Sequence, residues 1–210
     1  MHHHPIHRSL PVLLLLLLAW CPIAPATAQD WQADDHFQEI RPPVPTTGTL
    51  PEVVEVFNFK CSHCNQFSPV FQKWSHDNGQ RYDIRSLPVF WGDQTDAPTR
   101  AYFAARFLGK GEEMKTRIFR AQFEEGLNIE EEETLVLLAE EVGLDAARFR
   151  DAMASFGVTA QVGLAKAKAK AYGVTGTPCV VVQGRYLVTG KHADGKWDRL
   201  LEIATGLAAR

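Results

Sequence analysis

Two different spacings of apolar residues mark the elements of residues 52–92. Residues 53–59 form a mostly apolar run, which predicts a buried strand. The segment after it has bulky residues at the i, i+3, i+4 and i+7 spacing of one buried helix face: Phe67, Val70, Phe71 and Trp74. Residues 82–90 predict a second strand, in which Ile84 and Leu87 are expected to be buried. This part of the chain therefore has the order strand, helix, strand.

Helical spacing dominates the pattern from about residue 97 to residue 156, where apolar residues recur three or four positions apart. Gly143 is expected to end one of these helices and Asp145 to cap the next. We interpret residues 93–156 as an all-helical insertion.

Strand-like spacing returns near the C-terminus, after one more helix over residues 159–172. Residues 179–182 and 185–188 flank a Gln183–Gly184 turn and predict a β-hairpin, which a helix over about 194–207 follows. The order of elements is βαβ, a helical block, α and ββα. This order predicts an α/β protein in which residues 52–92 and 157–210 form one sheet-containing domain around the insertion.

The first 51 residues form two further segments. Residues 1–28 have the features of a secretory signal: Arg8 as the single Lys or Arg, an apolar core at 12–20, and small residues before a cleavage site at residue 28. Residues 29–51 are polar and rich in proline, which predicts an extended lead-in with little core of its own. This lead-in is too short for a dimerisation domain, so we expect a monomer.

Composition limits the class of protein. The chain has 210 residues, 45% of them hydrophobic and 22% charged, enough to bury the core of one domain with an insertion. No apolar run reaches the roughly 20 residues of a membrane helix, which indicates a soluble exported protein. Loss of Arg8 with the signal changes the formal net charge from −3 to −4, which argues against nucleic acid as a partner.

Three cysteines, Cys61, Cys64 and Cys179, remain after the signal is removed, and an odd number excludes a scaffold of paired disulfides. Cys61 and Cys64 enclose Ser62 and His63 at the junction of the first strand and the first helix. A disulfide with this spacing closes across one helical turn. Because the unpaired N–H groups and the dipole of a helix start favour a thiolate, Cys61 is the predicted nucleophile.

We predict a clearly acidic Cys61 thiol. Each unit by which the pKa is lowered requires about 1.4 kcal/mol, and the helix dipole supplies at best about 2 kcal/mol. A further donor is therefore needed. His63 is the predicted one, through a hydrogen bond or a positive charge, and backbone N–H groups and the Cys64 thiol can donate as well.

The segment 55–67, together with Gly176–Thr177–Pro178 more than 100 residues later, resembles the DsbA family of periplasmic thiol:disulfide oxidoreductases. The resemblance covers essentially the whole mature chain. It implies a thioredoxin-like fold, with a central mixed β-sheet flanked by helices and an inserted all-helical domain. It also implies that Cys61–Cys64 is the redox disulfide, with Cys61 as the exposed reactive sulfur and Cys64 as the resolving one.

The resemblance implies further that Thr177–Pro178 is a cis peptide facing the cysteine pair, with backbone groups that hold an extended substrate. It implies an enzyme that donates its disulfide to reduced, folding exported proteins and is reoxidised by a DsbB-like membrane quinone reductase. No metal and no cofactor are predicted. Ser62 stands where the family usually has proline, and Lys60 where an aromatic residue is frequent; these positions tune the redox potential and substrate docking.

Two more residues have alternative interpretations. Glu55 lies in the middle of the first apolar strand, where a carboxylate is costly unless it has a task or a partner. Related redox proteins have an acidic residue at the matching position, which suggests a proton relay to Cys64; the alternative is an edge-facing carboxylate or one paired with a lysine. Cys179 is interpreted as a small buried apolar residue, and alternatively as a third thiol that traps a mixed disulfide or helps to bind a metal.

Two alternatives to an oxidase stay open from the sequence. The first is a reductase or isomerase kept reduced in the same compartment. The second is a binding module in which the three cysteines hold a soft metal such as Cu(I) or zinc, although no fourth ligand is evident.

Overall fold

The computed structural model describes residues 1–3 and 30–210. The described part of the chain contains five strands: β1 (Gln38–Glu39), β2 (Glu52–Phe57), β3 (Asp83–Pro88), β4 (Cys179–Val182) and β5 (Tyr186–Thr189). Its seven helices are α1 (Ser62–Asn78), α2 (Ala97–Phe107), α3 (Gly111–Phe123), α4 (Glu132–Glu141), α5 (Ala146–Ala154), α6 (Phe156–Ala171) and α7 (Trp197–Ala208). The predicted signal segment lies almost wholly outside the described residues.

The strands form one mixed sheet in the order β1-β5-β4-β2-β3. Strands β2 and β3 are parallel, as expected for two strands joined by a helix, and the other pairs are antiparallel. All six residues of β2 are buried because this strand is central and both of its faces are covered. The apolar run of β2 therefore shows no clear alternation.

Two hydrophobic cores lie on opposite faces of the sheet, and the neighbouring residues Val53 and Val54 of β2 point to different ones. Val54 and Val56 pack into a core formed with helices α2 to α6. Val53 packs into a second core, which includes side chains of α1 and α7. Helices α2 to α6 thus cover one face of the sheet, and α1 and α7 cover the other.

Several sequence predictions are confirmed in detail. The hairpin β4–β5 turns at Gln183 and Gly184, whose φ values of 52° and 60° are those of a type I′ turn, and the Arg185 N–H donates to the Val182 carbonyl oxygen at 2.9 Å. The register pairs Val182 with Tyr186, so β5 begins one residue later than predicted. Gly143 adopts φ 85° after α4, and the Asp145 carboxylate accepts a hydrogen bond from the Arg148 N–H at the start of α5.

The lead-in contributes more to the fold than its polar, proline-rich sequence indicates. Its apolar residues Trp31, Phe37 and Ile40 are all buried, and β1 pairs with β5 at the sheet edge. A two-residue strand is too short to produce a periodic pattern, and these three residues pack into cores formed with distant parts of the chain. Residues 30–51 therefore contribute to both cores.

Leu87 is buried as predicted, whereas Ile84 is only half-buried because β3 is an edge strand of the sheet. None of the helices among residues 1–3 and 30–210 combines the length and the apolar character that crossing a membrane requires.

Candidate active site

The two cysteines lie at the junction of β2 and α1. Cys61 is the N-cap residue of α1, with extended backbone angles of φ −95° and ψ 114°. Its sulfur accepts a hydrogen bond from the Cys64 N–H at 3.3 Å, one of the donors that a helix start leaves unpaired. Cys61 is half-exposed and Cys64 is fully buried. Both are free thiols, and Cys61 is the one that a second protein can reach.

The surroundings of Cys61 favour its thiolate. The pKa of Cys61 is lowered from 9.0 to about 5, chiefly by a hydrogen bond from the Cys64 thiol. The Thr177 side chain and the backbone N–H groups of Cys64 and His63 add to this effect, while burial opposes it. When Cys61 is protonated, its thiol donates a hydrogen bond to the Thr177 carbonyl oxygen at 3.3 Å. At neutral pH the site therefore holds a thiolate at Cys61.

Cys64 has the opposite character. Burial raises its pKa far above the ordinary range, and the hydrogen bond that it donates to Cys61 acts in the same direction. The Asn58 N–H points at the Cys64 sulfur from 3.5 Å. Cys64 thus remains a protonated donor while Cys61 is ionised.

The predicted loop lies next to the sulfurs. The Thr177–Pro178 peptide bond is cis, and the Thr177 carbonyl oxygen is the acceptor for Cys61 described above. A cavity of about 560 Å³ extends from this loop, with His63, Gln66, Thr177, Pro178, Lys191 and Trp197 among its lining residues. Ser62 is exposed in the first turn of α1.

The structure places the backbone of His63, rather than its ring, against Cys61. The backbone N–H is the part of His63 that lowers the Cys61 pKa. The imidazole ring lies edge-on to Trp197, with 6.2 Å between the ring centroids. The further donor inferred from the sequence is thus supplied mainly by the Cys64 thiol.

Glu55 is completely buried and forms an ion pair with Lys115, which is also completely buried. Ser86 donates a second hydrogen bond to Glu55 Oε2 at 3.0 Å, whereas Oε1 has no hydrogen-bond partner among the described residues. Burial raises the pKa of the Glu55 carboxyl, and Lys115 opposes that effect. Among the roles that the sequence allows for Glu55, an ion pair with a lysine is the one that the structure contains as a direct contact.

The sequence analysis missed Lys115, which reaches Glu55 from α3. A signal was present, since Lys115 lies three residues before Ile118 and four before Phe119, on the apolar stripe of its helix. A lysine at such a position indicates a buried partner. What the stripe does not reveal is which carboxylate it meets.

Cys179 is 1% exposed in β4. Burial raises the pKa of its thiol to about 12, and the Glu55 carboxylate contributes in the same direction. A buried, protonated thiol fits the interpretation as a small apolar residue. Within the described part of the chain, no cluster of three or more histidine, cysteine or acidic residues has the arrangement of a metal site.

A family model described as a DSBA-like thioredoxin domain matches residues 52–197. The chain belongs to the DSBA-like thioredoxin family. It is 30% identical over 165 residues to a thiol:disulfide interchange protein DsbA of Burkholderia cepacia, a match that covers 79% of this chain and 76% of the relative. A protein of the same name from Pseudomonas aeruginosa is 29% identical over 181 residues and is matched over 85% of both chains.

Solved DsbA structures agree with this assignment. The crystal structure of Pseudomonas aeruginosa DsbA superposes with a TM-score of 0.80 and 28% identity, covering 87% of this chain and 95% of that one. The crystal structure of the oxidoreductase DsbA from Xylella fastidiosa superposes with a TM-score of 0.75 and 29% identity, and the match covers 83% of this chain and 94% of that one. The chain is therefore a DsbA-like thiol:disulfide oxidoreductase with a thioredoxin-like fold, and it catalyses dithiol–disulfide exchange.

Proposed function

We propose that this enzyme is a periplasmic oxidase, which donates the Cys61–Cys64 disulfide to reduced, folding exported proteins. The opposite displacement of the two thiol pKa values carries the proposal, since that of Cys61 is lowered to about 5 and that of Cys64 is raised. A thiolate that is stable at neutral pH stabilises the reduced form of the pair. The disulfide is then a strong oxidant because its reduction is favourable.

The exchange proceeds in two steps. A substrate thiolate attacks the Cys61 sulfur, the Cys61–Cys64 bond breaks, and its electron pair leaves on Cys64, which then takes up a proton. A second substrate thiolate attacks the substrate sulfur of this mixed disulfide and releases Cys61 as a thiolate. Because the Cys61 pKa is low, Cys61 is a good leaving group in the second step.

The cavity beside Cys61 supports a protein substrate. Its wall includes Thr177, Pro178 and Trp197, so an extended segment has both polar and apolar residues to contact. Ser62 and Lys60 flank the reactive sulfur in the sequence, and we propose that they affect docking. Lys60 forms an ion pair with Glu130 at 2.7 Å, so its charge is partly compensated.

We propose that Glu55 exchanges a proton with Cys64 when Cys64 leaves or attacks. The raised pKa of Glu55 and its unpaired Oε1 support this role. A Glu55→Gln enzyme should then oxidise substrate more slowly and lose part of the pH dependence of the rate. An unchanged pH profile would assign Glu55 a structural role only.

A DsbB-like membrane quinone reductase is the proposed reoxidant. The Cys61 thiolate would attack the disulfide of that partner, and Cys64 would then resolve the mixed disulfide. We further propose that the enzyme acts as a monomer, since residues 30–51 are used within its own sheet and cores. The reoxidant is tested by mixing the reduced enzyme with quinone-containing membranes and following its reoxidation. The monomeric state is tested by size-exclusion chromatography.

Equilibration with glutathione buffers tests the oxidase directly. We expect a potential well above the value of about −270 mV that is typical of thioredoxin. The oxidised enzyme should also form disulfides in a reduced, unfolded substrate, and Cys61→Ser should abolish that activity. A potential near that of thioredoxin would instead support the reductase.

A further inference from the structure

Asn58 is a buried polar residue between β2 and the reactive cysteine. It is 3% exposed and lies three residues before Cys61 and six before Cys64. A buried asparagine needs partners for both its backbone and its amide.

All four polar groups of Asn58 are engaged around the cysteine pair. Its N–H points at the Cys64 sulfur from 3.5 Å, and its carbonyl oxygen accepts from the Cys61 N–H at 3.1 Å. Its side-chain Oδ1 accepts from the Lys60 N–H at 2.7 Å. Its Nδ2 donates to Gln94 Oε1, also at 2.7 Å.

Gln94 fixes this arrangement from outside the loop. It lies between β3 and α2, and its Oε1 also accepts from the Trp91 N–H at 3.3 Å. The Asn58 amide is thus held between the cysteine loop and the segment that leads into the helical block.

The contacts form a chain of donors that ends on the reactive sulfur. Asn58 N–H donates to the Cys64 sulfur, and the Cys64 thiol donates in turn to the Cys61 thiolate. A donor that is itself polarised by an upstream hydrogen bond is a stronger donor. The orientation of Cys64 therefore depends on the position of Asn58.

We propose that Asn58, held by Gln94, is a positioning residue that orients Cys64 toward Cys61 and stabilises Cys64 as the leaving group. The proposal rests on the proposed oxidase function and deepens it. When the substrate thiolate bonds to the Cys61 sulfur, the electron pair of the broken disulfide moves to the Cys64 sulfur. The Asn58 N–H donates to that sulfur while the negative charge is on it.

Two substitutions test the proposal. Asn58→Ala removes both side-chain contacts, and Gln94→Met keeps the size of a half-buried side chain but removes its acceptor. Each should lower the equilibrium constant for reduction of the Cys61–Cys64 disulfide by glutathione about three- to tenfold. This is the effect expected when one hydrogen bond, from the Asn58 N–H to the Cys64 sulfur, is lost. Each should also raise the pKa of Cys61, measured by thiolate absorbance of the reduced protein.

Gln72→Met is the matched control. Gln72 on α1 donates to Thr116 Oγ1 on α3 at 2.9 Å, so it links the same two parts of the chain without touching a cysteine. The glutathione equilibrium of this variant should equal that of the parent. If Gln72→Met shifts it as much as Gln94→Met does, general loosening of the helical block explains the effect and the proposal fails.

The outcomes separate this proposal from the oxidase function. Unchanged equilibrium and unchanged titration in folded Gln94→Met would overturn the role of Asn58, even if the parent enzyme is a strong oxidant. If Asn58→Ala does not fold, Gln94→Met decides. A parent enzyme that fails to oxidise a reduced substrate would instead overturn the oxidase function, and the titrations would still report the hydrogen bonds.

Discussion

Cys61 is the residue on which the chemistry depends most strongly. Its low pKa arises from neighbours in two parts of the chain: the first turn of α1, with the Cys64 thiol and backbone N–H groups, and the Thr177 side chain. The helix start alone accounts for a small part of such a displacement. The largest contribution comes from the Cys64 thiol. Because Cys64 is a thiol only when the disulfide is reduced, reduction of the pair and ionisation of Cys61 are linked.

The ionisation of Cys61 should make the stability of the reduced protein pH-dependent. A pKa lowered from 9.0 to about 5 stabilises the folded state above the ordinary pKa, and this stabilisation is lost as the pH falls to about 5. The difference in unfolding free energy between reduced parent and reduced Cys61→Ala should therefore be larger at pH 7.5 than at pH 5. Urea unfolding at the two pH values measures it, and an equal difference at both would contradict the low pKa.

The buried pair of Glu55 and Lys115 should stabilise the fold only as a pair. Lys115→Met leaves a buried carboxylate without its cation and should cost about 3–5 kcal/mol. The double variant Glu55→Leu/Lys115→Met should recover most of that loss, since apolar replacement of a buried pair is often neutral. The measurement is the free energy of unfolding in urea.

The pH dependence of the Lys115→Met loss has a definite sign. Because burial raises the Glu55 pKa above 4.5, the protonated carboxyl is tolerated at low pH and the charged one is not. The loss should be smaller at pH 4.5 than at pH 7.5. Lys73→Met breaks an exposed pair with Asp77 and should change stability by less than about 1 kcal/mol at either pH.

At the scale of elements, the lead-in and α7 depend on each other. Trp31 packs against Gly206 in α7 so closely that a Cβ atom there would overlap the indole nitrogen. The Arg210 guanidinium also donates to the Trp31 carbonyl oxygen at 2.6 Å. A small residue in α7 thus makes room for an aromatic residue about 175 positions earlier in the chain.

Two helical glycines should consequently respond in opposite directions to alanine. Gly163→Ala on α6 meets nothing within 4 Å and should gain up to about 1 kcal/mol from helix propensity. Gly206→Ala should lose about 1–3 kcal/mol, because overpacking Trp31 outweighs that gain. Thermal unfolding of both variants checks the difference, and stabilisation by Gly206→Ala would show that Trp31 is not held there.

At the scale of the whole molecule, the sign of the charge beside the reactive sulfur differs from that of the protein. The formal net charge of the chain is −3, yet Lys191 lies in the wall of the cavity next to Cys61, and none of the described lining residues is acidic. Asp194 is close in the sequence but pairs with Arg199 at 3.7 Å. We therefore expect a preference for substrates with a carboxylate near the reacting cysteine.

Lys191→Glu should therefore change substrate preference. For dithiol peptides with aspartate beside the cysteine, kcat/KM should fall about two- to fivefold, and with lysine there it should rise, as expected for an exposed charge pair. Both effects should weaken in high salt. Lys170→Glu is the control, since Lys170 lines a different cavity and its replacement should leave the substrate preference unchanged. Equal effects of the two substitutions would mean that the net charge of the protein, and not the position of Lys191, sets the preference.

Much of the fold could be predicted because its elements have strong local signals. The apolar run of β2, the aromatic stripe of α1 and the Gln183–Gly184 turn each reflect rules that act over a few residues. Strand β1 could not be found in the same way, since its two residues have no periodicity. Trp31, Phe37 and Ile40 are buried by contacts with residues remote in sequence, and a local pattern contains no information on these partners.

The sequence by itself determined the chemistry of this protein: two cysteines at a helix start, an odd thiol and a threonine–proline loop are visible in the residue order. Only the tertiary structure decided how that chemistry is controlled. It placed the His63 backbone, rather than the ring, at the thiolate, and it brought Lys115 of the helical block to Glu55 and Gln94 to Asn58. The physical reason is that hydrogen bonds and buried charges act over a few ångströms in space, whereas Gln94 is 36 positions from Asn58 in the chain and Lys115 is 60 positions from Glu55.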